Sequence, residues 1–189
     1  MQDLYGSVPP GVSDEKDQII RYKGFYVARY ESGIPDSLTA AQTTYSQRDV
    51  SGKPISQKNA IPWNGIQPST IIFNAQSMIN TVSVQSGEIT GTQWDTMCKW
   101  IASAGKDVST SSTNWGNYYT VAVNGINSYS TNWGATWTTA TIKPANTAGL
   151  LKTGNTESTK VKNIYDVAGN LIEMTTEYSS GFLGRRWLL

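Results

Sequence analysis

The sequence predicts an α+β domain with two helices, short strands and much irregular structure. One observation is a stretch at 22–30 that is rich in aromatic and β-branched residues and alternates loosely, as strands do. A second is a pair of helical patterns, at about 68–80 and directly after Thr90. A third is the segment 103–160, which is rich in Ser, Thr, Asn and Gly with dispersed Trp and Tyr. Such a composition is typical of turns and loops.

The first predicted helix rests on a proline and on apolar spacing. Pro68 suits the first turn of a helix, because the missing N–H has no partner there in any case. Behind it, apolar residues recur at helical spacing. They are Ile71, Ile72, Ala75, Met78 and Ile79.

The second helix has a stronger start signal. Thr90 and Gln93 have the spacing of a capping box, in which each side chain bonds the backbone N–H of the other residue. One face of the helix is then apolar, at positions i, i+3, i+4 and i+7. It carries Trp94, Met97, Cys98 and Ile101, and we expect it to pack in the core.

Length and composition suggest a single ordered unit. Residues 1–18 are polar and rich in Pro and Gly, so we expect an arm or linker there, and the stretch 32–60 reads as loop. A chain of 189 residues suffices for one domain with its own core, expected over 19–189.

The charge pattern bears on possible partners. Fifteen Lys and Arg face 14 Asp and Glu, and the basic residues are scattered except for Arg185 and Arg186. Without a basic patch, we expect no nucleic-acid partner. We expect no membrane insertion either, because no apolar run approaches membrane-spanning length. The N-terminus also lacks the features of a secretion signal.

Histidine is absent and Cys98 is the single cysteine. The usual general base and the commonest metal ligand are therefore missing, and any metal is expected to be bound by oxygen atoms. A lone thiol on an apolar helix face is expected to be inert, because burial raises its pKa and blocks access.

The segment 163–173, NIYDVAGNLIE, combines two carboxylates with a turn. Gly169 and Asn170 are a turn pair, and such a turn can aim successive carbonyl oxygens inward. Calcium prefers carboxylate and carbonyl oxygens, so the segment is a candidate calcium site. Its ligands would be Asp166, Gly169, Leu171 and Glu173. The alternative is a hairpin or strand-entry turn whose acids face water.

The pentapeptide STNWG occurs twice, at 112–116 and 130–134. The repeat suggests two short loops or a hairpin with related ends. An exposed Trp beside Asn, Ser and Tyr offers a flat apolar face with adaptable hydrogen bonds, which suits sugars or protein epitopes. The alternative is that these Trp side chains pack the loops together. The candidate ligand-binding residues are Asn114, Trp115, Tyr118, Asn132, Trp133 and Trp137.

Four segments, in order, resemble the formylglycine-generating-enzyme-like (sulfatase-modifying-factor) domains, a branch of the C-type-lectin fold. YDVAGNLIEM at 165–174 resembles the family signature GLYDMxGNVWEW, and GFYVARYE at 24–31 resembles GFYIGRYEV. IPWN at 61–64 resembles PVxxVSW, and TGTQWD at 90–95 resembles LPTEAEWE. Together they cover roughly 21–178.

The resemblance implies a C-type-lectin-like fold with twisted antiparallel sheets. It also implies a structural calcium ion. Asp166 stands where the family has an Asn or Asp side chain, Gly169 and Leu171 would ligate through backbone oxygens, and Glu173 would close the site.

The same resemblance implies that the family's chemistry is missing. Formylglycine-generating members look like copper-dependent oxidases that need two cysteines near the C-terminus, and this sequence has none after Cys98. A related iron-dependent branch uses a histidine pair. We therefore expect no enzymatic activity, with an oxidase of the formylglycine-generating type as the alternative.

Two family strands have no counterpart, the first strand and the C-terminal RGGSW strand. The resemblance thus implies a domain that is incomplete at its C-terminus, with an unpaired sheet edge that self-association or a partner chain would complete.

These observations predict a non-catalytic domain that binds a glycan or protein ligand. We expect it in a surface, phage or mobile-element protein, including the targets of diversity-generating retroelements, and located on an extracellular surface or virion. The remaining alternative is a purely structural domain of such a protein.

Overall fold

The computed structural model describes residues 24–38, 45–108, 114–178 and 185–188. The arm expected at 1–18 lies outside the described residues. The described chain has two α-helices, short 3₁₀ turns and small antiparallel two-stranded sheets. The predicted α+β class with two helices is therefore confirmed at this general level.

Helix α1 spans Pro68–Met78 and begins at the predicted proline. Its most buried residue is polar rather than apolar. Asn74 is 2% exposed, donates to the Val50 carbonyl at 3.0 Å and accepts the Gly52 N–H at 2.9 Å. Phe73 is 59% exposed. The apolar positions that predicted this helix, Ile71, Ile72, Ala75 and Met78, are only partly buried, and Asn74 bonds α1 to the preceding loop.

Helix α2 spans Gly91–Ala102 and confirms its prediction closely. Both capping-box bonds form: Gln93 N–H donates to the Thr90 hydroxyl at 3.2 Å, and Thr90 N–H donates to Gln93 Oε1 at 3.0 Å. Met97 and Ile101 are buried, with Trp94 and Cys98 packed against the same core.

A long antiparallel hairpin follows α2. Strand β1 (Val123–Asn124) pairs with β4 (Ile142–Lys143), and nearer the tip β2 (Ser128–Tyr129) pairs with β3 (Thr138–Thr139). The second STNWG copy lies at this tip, and the first lies before the hairpin begins. The repeat was compatible with two short loops or with one hairpin that has related ends. In the structure, the second copy lies at the tip of a hairpin and the first lies in the segment that precedes it.

The C-terminal part contains two further antiparallel strand pairs. Strand β5 (Lys160–Val161) pairs with β6 (Ile164–Tyr165), and β7 (Glu173–Tyr178) pairs with β8 (Arg185–Leu188). The turn between β5 and β6 has positive φ angles at Lys162 (46°) and Asn163 (71°). Two successive residues in the left-handed region give the turn twist that matches paired strands.

The strand predicted at 22–30 does not form in its described part, 24–30. The alternation is real, since Val27 packs against the core while Tyr26 is fully exposed. What is missing is a paired neighbour. Tyr165 donates its N–H to the Arg29 carbonyl at 2.9 Å, and that contact does not extend into a ladder.

The core has two parts. One lies on the buried face of α2 and includes Trp115, Val161, Ile164 and Ala168; the other lies under the long hairpin and includes Val123, Ile126 and Leu151. Lys143 is also fully buried, and its ammonium donates to the carbonyls of Tyr118 and Val121, each at 2.9 Å, and of Thr147 at 3.2 Å. Burial lowers its pKa. Within the described residues, no helix is long and apolar enough to cross a membrane.

We predict that Thr90→Ala lowers the free energy of unfolding by about 1 kcal/mol, because it removes the acceptor for the Gln93 N–H. Chemical denaturation measures this value. Thr92→Ala is the matched control, since Thr92 is exposed in the first turn of α2. Equal losses in the two variants would show that the cap does not stabilise the helix.

Candidate functional site

The two STNWG copies place their tryptophans in opposite environments. Trp115 is 6% exposed, belongs to the core and donates its indole N–H to the Asp107 carbonyl at 2.8 Å. Tyr118 packs against the same core, while Asn114 is exposed. For Trp115, burial favours the packing alternative.

Trp133 has the opposite character. Its side chain is 55% exposed and its φ is 61°, in the left-handed region that disfavours bulky residues. Beneath it, the fully buried Arg48 donates to the Trp133 carbonyl at 2.8 Å and also to the Asn64 side chain. The backbone of Trp133 is thus fixed from below while the indole faces outward.

Side-chain hydrogen bonds shape the rest of the tip. The Ser130 hydroxyl accepts the Gly134 N–H at 2.8 Å and donates to Asn132 Oδ1 at 2.9 Å. Asn132 also accepts the Thr136 N–H at 2.9 Å and donates to the Thr136 hydroxyl at 2.8 Å. Asn132 therefore acts mainly as a loop-forming residue.

Trp137 lies partly buried against the same turn. Gly134 has φ 91°, and a Cβ atom there would lie 3.2 Å from Ile61 Cγ2 and 3.4 Å from Trp137 Cζ2. Only glycine combines this φ with so close an approach. On the Trp137 ring, the Lys152 ammonium lies 5.0 Å from the centroid.

The calcium candidates surround a buried group of carboxylates. Asp166 is 1% exposed, and its two oxygens accept the Gly154 N–H at 2.6 Å and the Thr159 hydroxyl at 2.7 Å. The interpretation in which the acids face water is therefore wrong for Asp166. Burial raises its pKa, and these two hydrogen bonds oppose the rise.

Two glutamates share this environment. Burial raises the pKa of Glu173 to about 7, and the nearby Asp166 adds to the rise. Burial also raises the pKa of Glu31 well above its usual value, with further contributions from Asp166 and Glu173. One oxygen of Glu31, Oε1, is buried without a hydrogen-bond partner.

The chemistry of these groups is compatible with a hard cation, but only with help from the backbone. Among the described residues, no three His, Cys, Asp or Glu side chains are placed to hold a metal ion by themselves. A cation here would need main-chain oxygens such as those of Gly169 and Leu171. Asp166 could still bind such a cation, because a carboxylate oxygen that accepts one hydrogen bond keeps a second lone pair.

The turn predicted at Gly169 and Asn170 is confirmed, with φ values of 76° and 68°. It lies directly against Asn117. The Asn170 N–H donates to the Asn117 carbonyl at 2.9 Å, and a Cβ on Gly169 would collide with the Asn117 backbone. Leu171 donates its N–H to the Gly169 carbonyl at 2.9 Å, which tightens the same turn.

Sequence reasoning missed the central residue of this region, the Asn170 side chain. Its oxygen accepts the Leu151 N–H and the Asn117 amide, each at 2.8 Å. Its nitrogen donates to Glu31 Oε2 at 2.6 Å and to the Leu151 carbonyl at 3.3 Å. Asn117 in turn donates to the Gly149 carbonyl at 2.8 Å. The position of Asn170 beside a turn glycine predicts only a turn, so it gave no signal for these distant partners.

Cys98 is partly buried, and its environment disfavours the reactive thiolate form. Burial raises its pKa to about 11, with smaller contributions from Asp95 and Glu173. At neutral pH the thiol is protonated and is a poor nucleophile.

No protein-family model, curated protein or solved structure matches the chain.

We predict that Asn170→Ala lowers the free energy of unfolding by about 3 kcal/mol, because buried partners in three segments lose a hydrogen bond at once. Denaturant unfolding followed by circular dichroism provides the measurement. Asn114→Ala is the control, as Asn114 is exposed. A loss below about 1 kcal/mol for Asn170→Ala would contradict the central role of this side chain.

Proposed function

We propose that the protein is a non-catalytic recognition domain that binds a carbohydrate or protein ligand at the hairpin tip around Trp133. One observation carries this proposal: an exposed indole is held at a positive φ by a buried arginine. The left-handed conformation costs a non-glycine residue about 1–2 kcal/mol. Strain that persists without burying the side chain is typical of functional positions.

The preformed shape of the tip supports the same proposal. Ser130, Asn132 and Arg48 fix the backbone before any ligand arrives, so binding need not order the loop. An indole supplies a large contact area at a low entropic cost. Our proposal further assigns the domain a C-type-lectin-like fold, on the resemblance of its ordered motifs, and a place on an extracellular surface or virion.

We predict that Trp133→Ala weakens binding about thirty-fold, or ~2 kcal/mol, as expected for a central aromatic contact. A screen on immobilised glycans and on a displayed protein library identifies the ligand, and calorimetry then compares the variants. Trp100→Ala is the matched control, because Trp100 is 47% exposed on α2, outside the tip.

A second variant separates binding from folding. Trp133→Gly keeps a residue that tolerates positive φ, so its unfolding free energy should stay within about 1 kcal/mol of the parent while binding is lost. Full binding by Trp133→Gly, or equal loss with Trp100→Ala, would refute recognition through the tip.

Calcium is a second proposed property, supported by the carboxyl groups of Glu31, Asp166 and Glu173. Asp166 raises the pKa of both glutamates, so the three charges repel one another and need compensation. A divalent cation would provide that compensation, with Gly169 and Leu171 contributing backbone oxygens. The ion would be structural and would hold the turn against the neighbouring segments.

We predict that raising the pH lowers the free energy of unfolding and that calcium restores it. Because the folded pKa of Glu173 lies near 7 against an ordinary 4.5, the folded state binds more protons than the unfolded state between these values. With chelator present, the unfolding free energy should therefore fall by about 1–3 kcal/mol between pH 5 and 8. Millimolar calcium should restore it at pH 8 and have little effect at pH 5, as measured by thermal unfolding.

Glu173→Gln should remove most of both effects, whereas Asp95→Asn, an exposed position on α2, should preserve them. If calcium stabilises Glu173→Gln as strongly as the parent protein, or fails to stabilise the parent at pH 8, the proposed cation site is wrong.

A further inference from the structure

A cleft of about 330 Å³ lies between two loop segments, 34–38 and 55–61. Binding sites for small molecules are mostly apolar, have volumes of about 300–1,000 Å³ and carry a few polar groups. The cleft therefore has the size of a site for a small ligand, at the lower end of that range. Its apolar lining includes Ile34, Pro35, Leu38, Ile55 and Ile61.

Backbone hydrogen bonds fix the two walls of the cleft to each other. Gly33 donates its N–H to the Ile55 carbonyl at 2.8 Å and accepts the Ile55 N–H at 3.1 Å. Next to it, the Ile34 N–H donates to the Ile61 carbonyl at 2.9 Å. A Cβ on Gly33 would lie 2.5 Å from Ala60 Cβ, so the segments approach this closely only because residue 33 is glycine. The cleft is thus preformed, and a ligand need not order its walls.

Lys58 brings positive charge to one wall. It lines the cleft, and its Nζ lies 3.9 Å from Glu157 Oε1, at the outer limit of an ion pair. The same carboxylate has closer partners, because Lys160 Nζ lies 2.9 Å from Oε2 and the Tyr165 hydroxyl donates to Oε1 at 2.6 Å. Two ammonium groups therefore share one carboxylate. Positive charge remains on Lys58 for the anionic group of a ligand.

The backbone on both sides of Lys58 is fixed by Thr153. The Thr153 hydroxyl donates to the Gln57 carbonyl at 2.5 Å, and the Thr153 carbonyl accepts the Asn59 N–H at 2.7 Å. Asn59 has a φ of 66°, in the left-handed region that Asn adopts more readily than most residues. Lys58 thus extends from a defined turn.

Asp36 brings negative charge to the other wall. It lines the cleft and is exposed, in a turn that the Leu38 N–H closes by donating to the Pro35 carbonyl at 3.1 Å. Among the described residues, neither ion pair includes Asp36. A carboxylate forms strong charge-assisted hydrogen bonds with an ammonium group. The cleft therefore combines an acid, a base and an aliphatic lining.

We propose that this cleft binds a free aliphatic α-amino acid such as leucine, with its ammonium group on Asp36, its carboxylate on Lys58 and its side chain against the aliphatic lining. Such a zwitterion carries all three complementary features on one short skeleton, which suits a cleft of this volume. None of the lining residues belongs to the hairpin tip, so the inference does not rest on the proposed recognition function.

The test is a titration of the labelled protein at low salt, followed by the chemical shifts of its backbone amides, with leucine and three analogues that each lack one feature. Leucine should bind about thirty-fold more tightly than glycine, because a buried leucine side chain contributes ~2 kcal/mol. It should bind about five-fold more tightly than leucinamide and than N-acetyl-leucine, as a partly exposed ion pair would give.

Two variants assign the charges. Lys58→Met keeps the aliphatic stem and should remove the preference for leucine over leucinamide, while the preference over N-acetyl-leucine persists. Asp36→Asn should have the converse effect. The matched controls are Lys53→Met, an exposed lysine in the same loop that does not line the cleft, and Asp95→Asn, and both should keep the two preferences.

The inference is overturned if leucine does not bind, or if leucinamide and N-acetyl-leucine bind as tightly as leucine, which would show an apolar cleft without zwitterion recognition. It is also overturned if Lys58→Met keeps the preference over leucinamide, or if Lys53→Met removes that preference equally. Trp133→Ala should leave leucine binding unchanged. Leucine binding that is lost in Trp133→Ala, with shifts confined to the hairpin tip, would refute the cleft and leave recognition through the tip standing.

Discussion

The close approach of the Gly169–Asn170 turn to Asn117 is the constraint on which the rest of the structure depends. Most strands in the described chain are only two residues long, so the ladders contribute few hydrogen bonds. The Asn170 side chain supplies what the ladders lack, because it bonds Glu31, Asn117 and Leu151 together. A satisfied polar network of this kind fixes one arrangement of segments that apolar packing alone would leave loosely specified.

Tertiary contacts also explain why the tryptophans of two identical pentapeptides differ in burial. Residues 114–116 of the first copy and 131–134 of the second lie in turns or bends, which the local sequence favours. Burial is decided by what lies alongside. Trp115 packs in the core beside α2 and donates to the Asp107 carbonyl. The Trp133 carbonyl instead accepts a hydrogen bond from the buried Arg48, which fixes the backbone while the indole stays exposed. A tertiary contact, rather than the repeat itself, distinguishes a packing residue from a candidate recognition residue.

How far the sequence predicts this structure follows from the range of each interaction. The Thr90 capping box, the Pro68 helix start and the Gly169–Asn170 turn depend on neighbours within a few residues, and all three were predictable. The contacts that build the candidate site span 139 residues from Glu31 to Asn170, 85 from Arg48 to Trp133 and 53 from Asn117 to Asn170. Single polar residues have no periodicity, so no pattern in one sequence indicates such pairings. The strand expected at 22–30 failed for the related reason that alternation does not specify a partner.

The proposed recognition surface and the carboxyl cluster are connected, but through neutral groups. Asn170 donates to Glu31 and accepts the N–H of Leu151, and the adjacent Leu150 exchanges two backbone hydrogen bonds with Ser130 at the tip, at 2.8 and 2.9 Å. The Leu151 contact joins an amide to the backbone, so its strength depends little on whether the carboxyl groups carry a proton, a charge or a cation. A cation in the cluster would therefore stabilise the domain as a whole, while the shape of the tip would already be set by the hydrogen bonds of Ser130, Asn132 and Arg48.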